Sequence, residues 1–143
     1  MTRFRHVCSP AALIDILKFK RFMPAYPSPL AGDSGINGYI EGLPFNYNQE
    51  IQGRGAELII EWYEDYTEVG NQNVKYPLIP NKLIRQGAWR AVIPAKTECK
   101  YIKAVDFEIT EEGKSTMSIW QTIHLKYLKY KIMKNPFFIS LQY

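Results

Sequence analysis

Hydrophobic periodicity along the chain predicts a strand, one helix, a long irregular stretch and then several strands. Residues 3–7 read as a short strand. Ser9-Pro10 is a helix start, because Ser9 offers an acceptor to a free backbone N–H and Pro10 suits the first helical position. Leu13, Ile16, Leu17 and the stem of Lys20 then share one face at helical spacing. Lys18, Lys20 and Arg21 fall in the last turns, where cations favour the helix dipole. Pro24, Pro27 and Pro29 forbid regular helix beyond that point. Residues 24–56, rich in glycine and proline, are expected to be a long loop, and a loop of that length is usually functional or hides short elements.

The second half is more regular. Residues 57–64 have acidic ends and an apolar middle and predict a strand. Residues 74–78 contain Pro77 and suit a short edge strand. Residues 89–93 and 100–109 predict two more strands. In the latter, Tyr101, Lys103, Val105, Phe107 and Ile109 would point one way and Ile102, Ala104, Asp106 and Glu108 the other. Residues 111–114 read as a turn. The segment 116–133 is ambiguous: Met117, Trp120, Ile123, Tyr127 and Tyr130 fit a helical stripe, while Ile119, Ile123 and Leu125 also permit a strand. This order is that of a single small α+β domain spanning 1–143, with a mainly antiparallel sheet and a Lys/Tyr-rich C-terminal segment over 114–143.

Charge changes the picture more than composition does. The 143 residues carry a net +4, yet residues 24–70 sum to −7 and residues 113–143 to +5 with no acid at all. A uniformly basic nucleic-acid binder would not contain such an acidic middle, so the basic excess belongs to the ends. Hydrophobic residues at 46% and charged residues at 22% are those of a globular chain, which excludes disorder as the default. Cys8 and Cys99 lack metal-ligand spacing and read as buried or semi-buried thiols of a reducing compartment, with a Cys8 nucleophile beside His6 as the lesser reading. No apolar run reaches membrane-spanning length and the first residues hold no apolar signal core, so a cytoplasmic, soluble protein without membrane contact is expected.

Five constellations could carry chemistry, each with a plainer structural reading beside it. Arg5-His6 ends the first strand just before the Ser9 helix start. A histidine there can orient a ligand or act as a base, or simply tie strand to loop. Asp33, Asn37 and Tyr39 lie among glycines that let backbone approach a ligand, or form a turn. Trp89-Arg90 can stack on a flat ring and clamp an anion, or be a core Trp beside a solvated Arg. Glu57 and Glu61 share a strand face and could act as a carboxylate pair, or be solvated. Lys126, Lys129 and Lys131 alternate with tyrosines and could meet phosphates and bases, or be the wet side of an amphipathic element. His6 and His124 alone make no metal site, and none is expected.

The opening Phe4-Arg5-His6-Val7-Cys8-Ser9, followed by Ala12-Leu13-Ile14-Asp15-Ile16-Leu17 and Phe22-Met23-Pro24-Ala25, resembles small ADP-ribosyltransferase-like domains. The Val74-Lys75-Tyr76 segment and the Trp89-Arg90 pair are similar to the branch found in abortive-infection and phage-conflict proteins. The resemblance covers the order of elements over about residues 3–110. It implies that NAD or a derived nucleotide is the ligand, held by Arg5, His6, Ser9, Asp33, Asn37, Tyr39, Trp89 and Arg90. His6 would position the nicotinamide ribose, Tyr39 would stack and Arg90 would clamp phosphate. One departure matters. Where the family places an acid just before the Trp-Arg pair, this chain has Arg85-Gln86-Gly87-Ala88, and Gln86 supplies no charge. Transfer of ADP-ribose needs a carboxylate to stabilise a cationic ribose. Either Glu57 or Glu61 takes that role, or the domain only binds.

The leading expectation is therefore an ADP-ribosyltransferase-like protein acting on or binding NAD in a toxin or phage–host conflict. Two alternatives stand beside it. One is a non-catalytic inhibitor of a host protein or nucleotide signal, suggested by the missing acid and the separated charges. The other is RNA binding through the Lys/Tyr-rich C-terminal segment.

Overall fold

A computed structural model of the protein describes residues 1–22, 35–41, 54–63, 79–80, 89–94 and 97–141. They form a small α+β domain with helices packed on one face of an antiparallel sheet. The elements in chain order are β1 (Thr2–Cys8), α1 (Pro10–Phe19), β2 (Arg21–Phe22), β3 (Gly35–Ile40), β4 (Ala56–Trp62), β5 (Ile79–Pro80), β6 (Trp89–Pro94), β7 (Ile102–Ile109), α2 (Glu111–Thr116), α3 (Ile119–Lys134), β8 (Phe137–Phe138) and β9 (Ser140–Leu141). The sheet order is β5-β6-β3-β1-β4-β7-β8, so five longer strands are flanked by a two-residue strand at each edge. Every pairing in it is antiparallel. A separate parallel pair, β2 with β9, ties the end of the first helix to the C-terminal segment.

α1 forms as its sequence predicts. The Ser9 hydroxyl accepts from the Ala12 N–H at 3.1 Å, and Pro10 occupies the first turn. Lys20 closes the helix in the left-handed region with φ 52°. Leu13, Ile14, Ile16 and Leu17 are buried against the sheet, where Phe4, Ala56, Leu58, Ile60, Trp62, Ile102, Ala104 and Phe107 complete the core with Leu125, Leu128 and Ile132 of α3. Phe4 meets Trp62 edge to face at 6.2 Å between centroids. Burying each such side chain contributes about 1.5–3 kcal/mol, which outweighs any local preference in deciding which face turns inward.

Four expectations change on contact with the structure. The stretch taken as loop over 24–56 contains β3, whose Ile36 and Ile40 join the core. Its glycines, poor strand formers, are required by the neighbour: a Cβ on Gly38 would lie 2.0 Å from the Arg5 carbonyl oxygen. The faces of β7 follow the expected alternation only as far as Ala104. A register irregularity opposite Ile59 and Ile60 inserts Val105 as an extra residue. Ile102, Ala104 and then Phe107 are the ones that end up buried. The expected turn over 111–114 opens α2 instead, with Thr110 accepting from the Gly113 N–H and Gly113 packed against Gly55. The ambiguous 116–133 is helix, and its inward face is Leu125, Leu128 and Ile132 rather than the aromatic stripe. The short strand expected at 74–78 lies outside the described residues. Among the described residues no helix is long and apolar enough to cross a membrane.

Candidate functional site

The sheet face turned away from α1 and α3 carries the polar candidates. Along β1 the side chains of Arg3, Arg5 and Val7 point to this face, while Phe4 and Cys8 point to the core. Arg5 pairs in register with Tyr39 of β3 on one side and Ile59 of β4 on the other, and Val7 with Glu57. Three strands thus bring Arg5, Tyr39 and Glu57 together from positions up to 52 residues apart in the chain.

Glu57 is the only polar or charged side chain among the buried described residues, at 1% exposure. Its Oε1 accepts two hydrogen bonds, from Arg5 Nη1 at 2.9 Å and from the Tyr39 hydroxyl at 2.6 Å. Its Oε2 is buried with no hydrogen-bond partner. Arg5 is itself mostly covered, at 14% side-chain exposure, and its Nη2 donates to Glu41 Oε1 at 3.0 Å. Glu41 also accepts from Arg3 Nε at 2.7 Å, and Glu108 lies 3.7 Å from Arg5 Nη1. Burial opposes the charge on Arg5, but its bonds to Glu57 and Glu41 outweigh burial and raise its pKa further. The same bond from Arg5 holds the Glu41 carboxyl below its ordinary range. Among the described side chains of this face, Arg3, Arg5 and Lys103 stand against Glu41, Glu57, Glu61 and Glu108.

The remaining sequence candidates are distributed differently. His6 follows Arg5 and so projects to the opposite, helix-side face, where its ring stands edge-on to Phe22 with centroids 4.9 Å apart. The sheet plane separates His6 from Glu57. Ser9 is the helix cap described above. Glu61 lies on the Glu57 face, near the end of β4, and accepts from the exposed hydroxyl of Tyr63. Asp33 lies outside the described residues, as do the side chains of Asn37, Trp89 and Arg90. Their backbones are placed: Asn37 in β3 pairs with Val92 of β6, and Gly38 with Ala91, which carries Arg90 to the strand beside Tyr39. Cys8 is buried and its thiol is pushed up to about 12 by that burial, so it is a neutral packing group and no nucleophile at physiological pH. Cys99, expected to be buried or half-buried, is exposed.

Glu41 and Glu108 were not singled out by the sequence. Glu41 joins Tyr39 on one face only because β3 is a strand, which the expected loop over 24–56 did not show. Glu108 had no signal, because the irregularity in β7 resets which of its residues face which side. Lys129, a candidate phosphate contact, is engaged within the fold: its ammonium donates to the Asp106 carboxylate and to the Phe107 carbonyl at 2.7 Å. Comparison with protein-family models, curated protein sequences and solved structures returned no match.

Proposed function

We propose that the protein is an ADP-ribosyltransferase-like domain that takes the nicotinamide–ribose end of NAD, or of a related nucleotide, against Glu57. The observation that carries this reading is the half-used carboxylate: Glu57 is buried, fixed through Oε1 by Arg5 and Tyr39, and its Oε2 is buried without a hydrogen-bond partner. A buried carboxylate oxygen without a donor costs free energy, and such groups persist where a ligand supplies the missing partner. The Glu57 carboxylate, accepting from Arg5 and Tyr39 on one oxygen, suits a cationic nicotinamide ribosyl centre. Arg5 and Tyr39 hold the carboxylate in one orientation in advance, which is what electrostatic stabilisation of a developing charge requires. On this reading Glu57, and not Glu61, takes the role left vacant at Gln86. Arg5 rather than His6 is the first-strand group beside it. The adjacency of β6 and β3 also supports a phosphate-clamping Arg90 near Tyr39.

The chemistry would be substitution at the ribose C1′. The C1′–nitrogen bond breaks, its electron pair leaves with neutral nicotinamide, and Glu57 stabilises the oxocarbenium-like carbon. An acceptor nucleophile then bonds to C1′ and loses its proton to solvent. Calorimetric titration with NAD tests the binding. The wild type should saturate, and Glu57→Gln should weaken binding about tenfold, the scale of one hydrogen bond to a charged group. No heat with either NAD or ADP-ribose would overturn the reading.

A further inference from the structure

The outward side of α3 is unusually apolar for an exposed surface. Ile119, Trp120, Ile123, Tyr127, Tyr130 and Met133 are between 52% and 76% exposed. They lie on the side of the helix opposite Leu125, Leu128 and Ile132, which are buried, so the helix is apolar on two faces. An exposed apolar strip of this kind, with lysines set within it, marks an interaction surface.

The spacing of the strip specifies the shape of its occupant. Trp120, Ile123, Tyr127, Tyr130 and Lys134 recur at intervals of three and four, the seam of a helix that packs against another helix. Lys126 and Lys131 flank that seam, and no acidic residue occurs from residue 113 to the end of the chain. A second copy of α3 would set lysine against lysine in either orientation, which disfavours self-pairing. A bilayer fits poorly as well. In helical projection Lys126 falls between Ile119 and Met133, and Lys134 between Ile123 and Tyr127, inside the apolar arc rather than along its margins. The ammonium groups of Lys131 and Lys134 lie over the Tyr127 and Tyr130 rings at 5.4 and 5.8 Å, covering faces on which bases would stack.

We propose that this strip is a docking surface for an acidic amphipathic helix of a partner protein. Its apolar residues would fill the seam and its glutamates or aspartates would meet Lys126, Lys131 and Lys134. This inference stands independently of the nucleotide reading, since it concerns the other side of the molecule.

The test uses two labelled peptides of about four heptads, both with Leu and Ile on the seam. One carries Glu and the other Lys at the flanking positions. Fluorescence anisotropy with the full chain should show the Glu peptide binding at least tenfold tighter than the Lys peptide, about 1.4 kcal/mol. A Trp120→Ala/Tyr127→Ala variant that keeps the wild-type melting temperature should lose that binding. The proposal is overturned if the two peptides bind alike or not at all, or if the variant binds as well as wild type. It is also overturned if the strip is instead occupied by phosphatidylserine vesicles, by oligouridylate, or by a second copy of the chain seen in sedimentation.

Discussion

The two sides of this molecule reverse the usual distribution of polarity, and in opposite senses. The sheet face around Glu57 buries charge: a carboxylate at 1% exposure held by an arginine and a tyrosine. The outer face of α3 exposes hydrocarbon and aromatic rings. Both arrangements are costly for folding alone. The sheet face pairs Arg5 and Tyr39 with one oxygen of Glu57 and leaves the other buried without a donor, whereas the helix strip leaves more than half of each apolar side chain to water. On the two proposals made above, a small ligand and a macromolecular partner leave distinct marks. The first leaves one preorganised atom in a cluster, the second a long periodic surface.

The sharpest way to break this comparison is to remove the buried carboxylate. Glu57→Ala leaves the largely covered Arg5 guanidinium and the Tyr39 hydroxyl without their shared acceptor, and should destabilise the domain by about 3–5 kcal/mol, read from the urea midpoint. A loss under 1 kcal/mol, on the order of an exposed pair, would show that the cluster is solvated rather than buried. The two faces of α3 come next. Leu128→Ala on the buried side should cost about 2–5 kcal/mol, while Trp120→Ala on the outer side should change stability by no more than about 0.5 kcal/mol. Equal costs would mean that the strip is part of the fold.

Ser118→Ala tests why 119–134 is helical at all. The Ser118 hydroxyl accepts from the Gln121 N–H at 3.1 Å and the Gln121 side chain accepts from the Ser118 N–H at 2.9 Å. Losing that reciprocal cap should cost about 1 kcal/mol. The smallest effect concerns Glu41. Its folded pKa is lowered, so it adds stability above its ordinary 4.5 that is lost as pH falls below that value. Glu41→Gln should therefore show a slightly shallower loss of stability on acidification than wild type. An identical slope would mean that its bonds to Arg3 and Arg5 contribute nothing in solution.

Parts of this were legible in the sequence for physical reasons. β1, α1, β4 and β6 carry strong local signals: Ser9-Pro10 at a helix start, apolar periodicity, and an apolar run bounded by acids. Ser118-x-x-Gln121 would have resolved the ambiguous segment as helix, because a strand has no use for a reciprocal cap. The aromatic residues of the segment also keep helical spacing, and periodicity alone does not say which of two apolar faces is buried. β3 was not legible, since its glycines are explained only by the approach of Arg5, a tertiary fact. The site was half legible. Arg5, Tyr39 and Glu57 were each singled out, but their convergence depends on strand order and register. The separation of His6 from Glu57 follows from strand alternation once β1 is flanked by β3 and β4.

The central claim is that Glu57 presents a preorganised carboxylate oxygen to the ribosyl centre of NAD. Nicotinamide release from NAD, measured side by side for wild type, Glu57→Gln and Glu61→Gln with folding checked by thermal melts, tests it most directly. The account predicts release by wild type and by Glu61→Gln, with a loss of about a hundredfold or more in Glu57→Gln. Release by a folded Glu57→Gln at the wild-type rate, or none by wild type above the buffer blank, would contradict it.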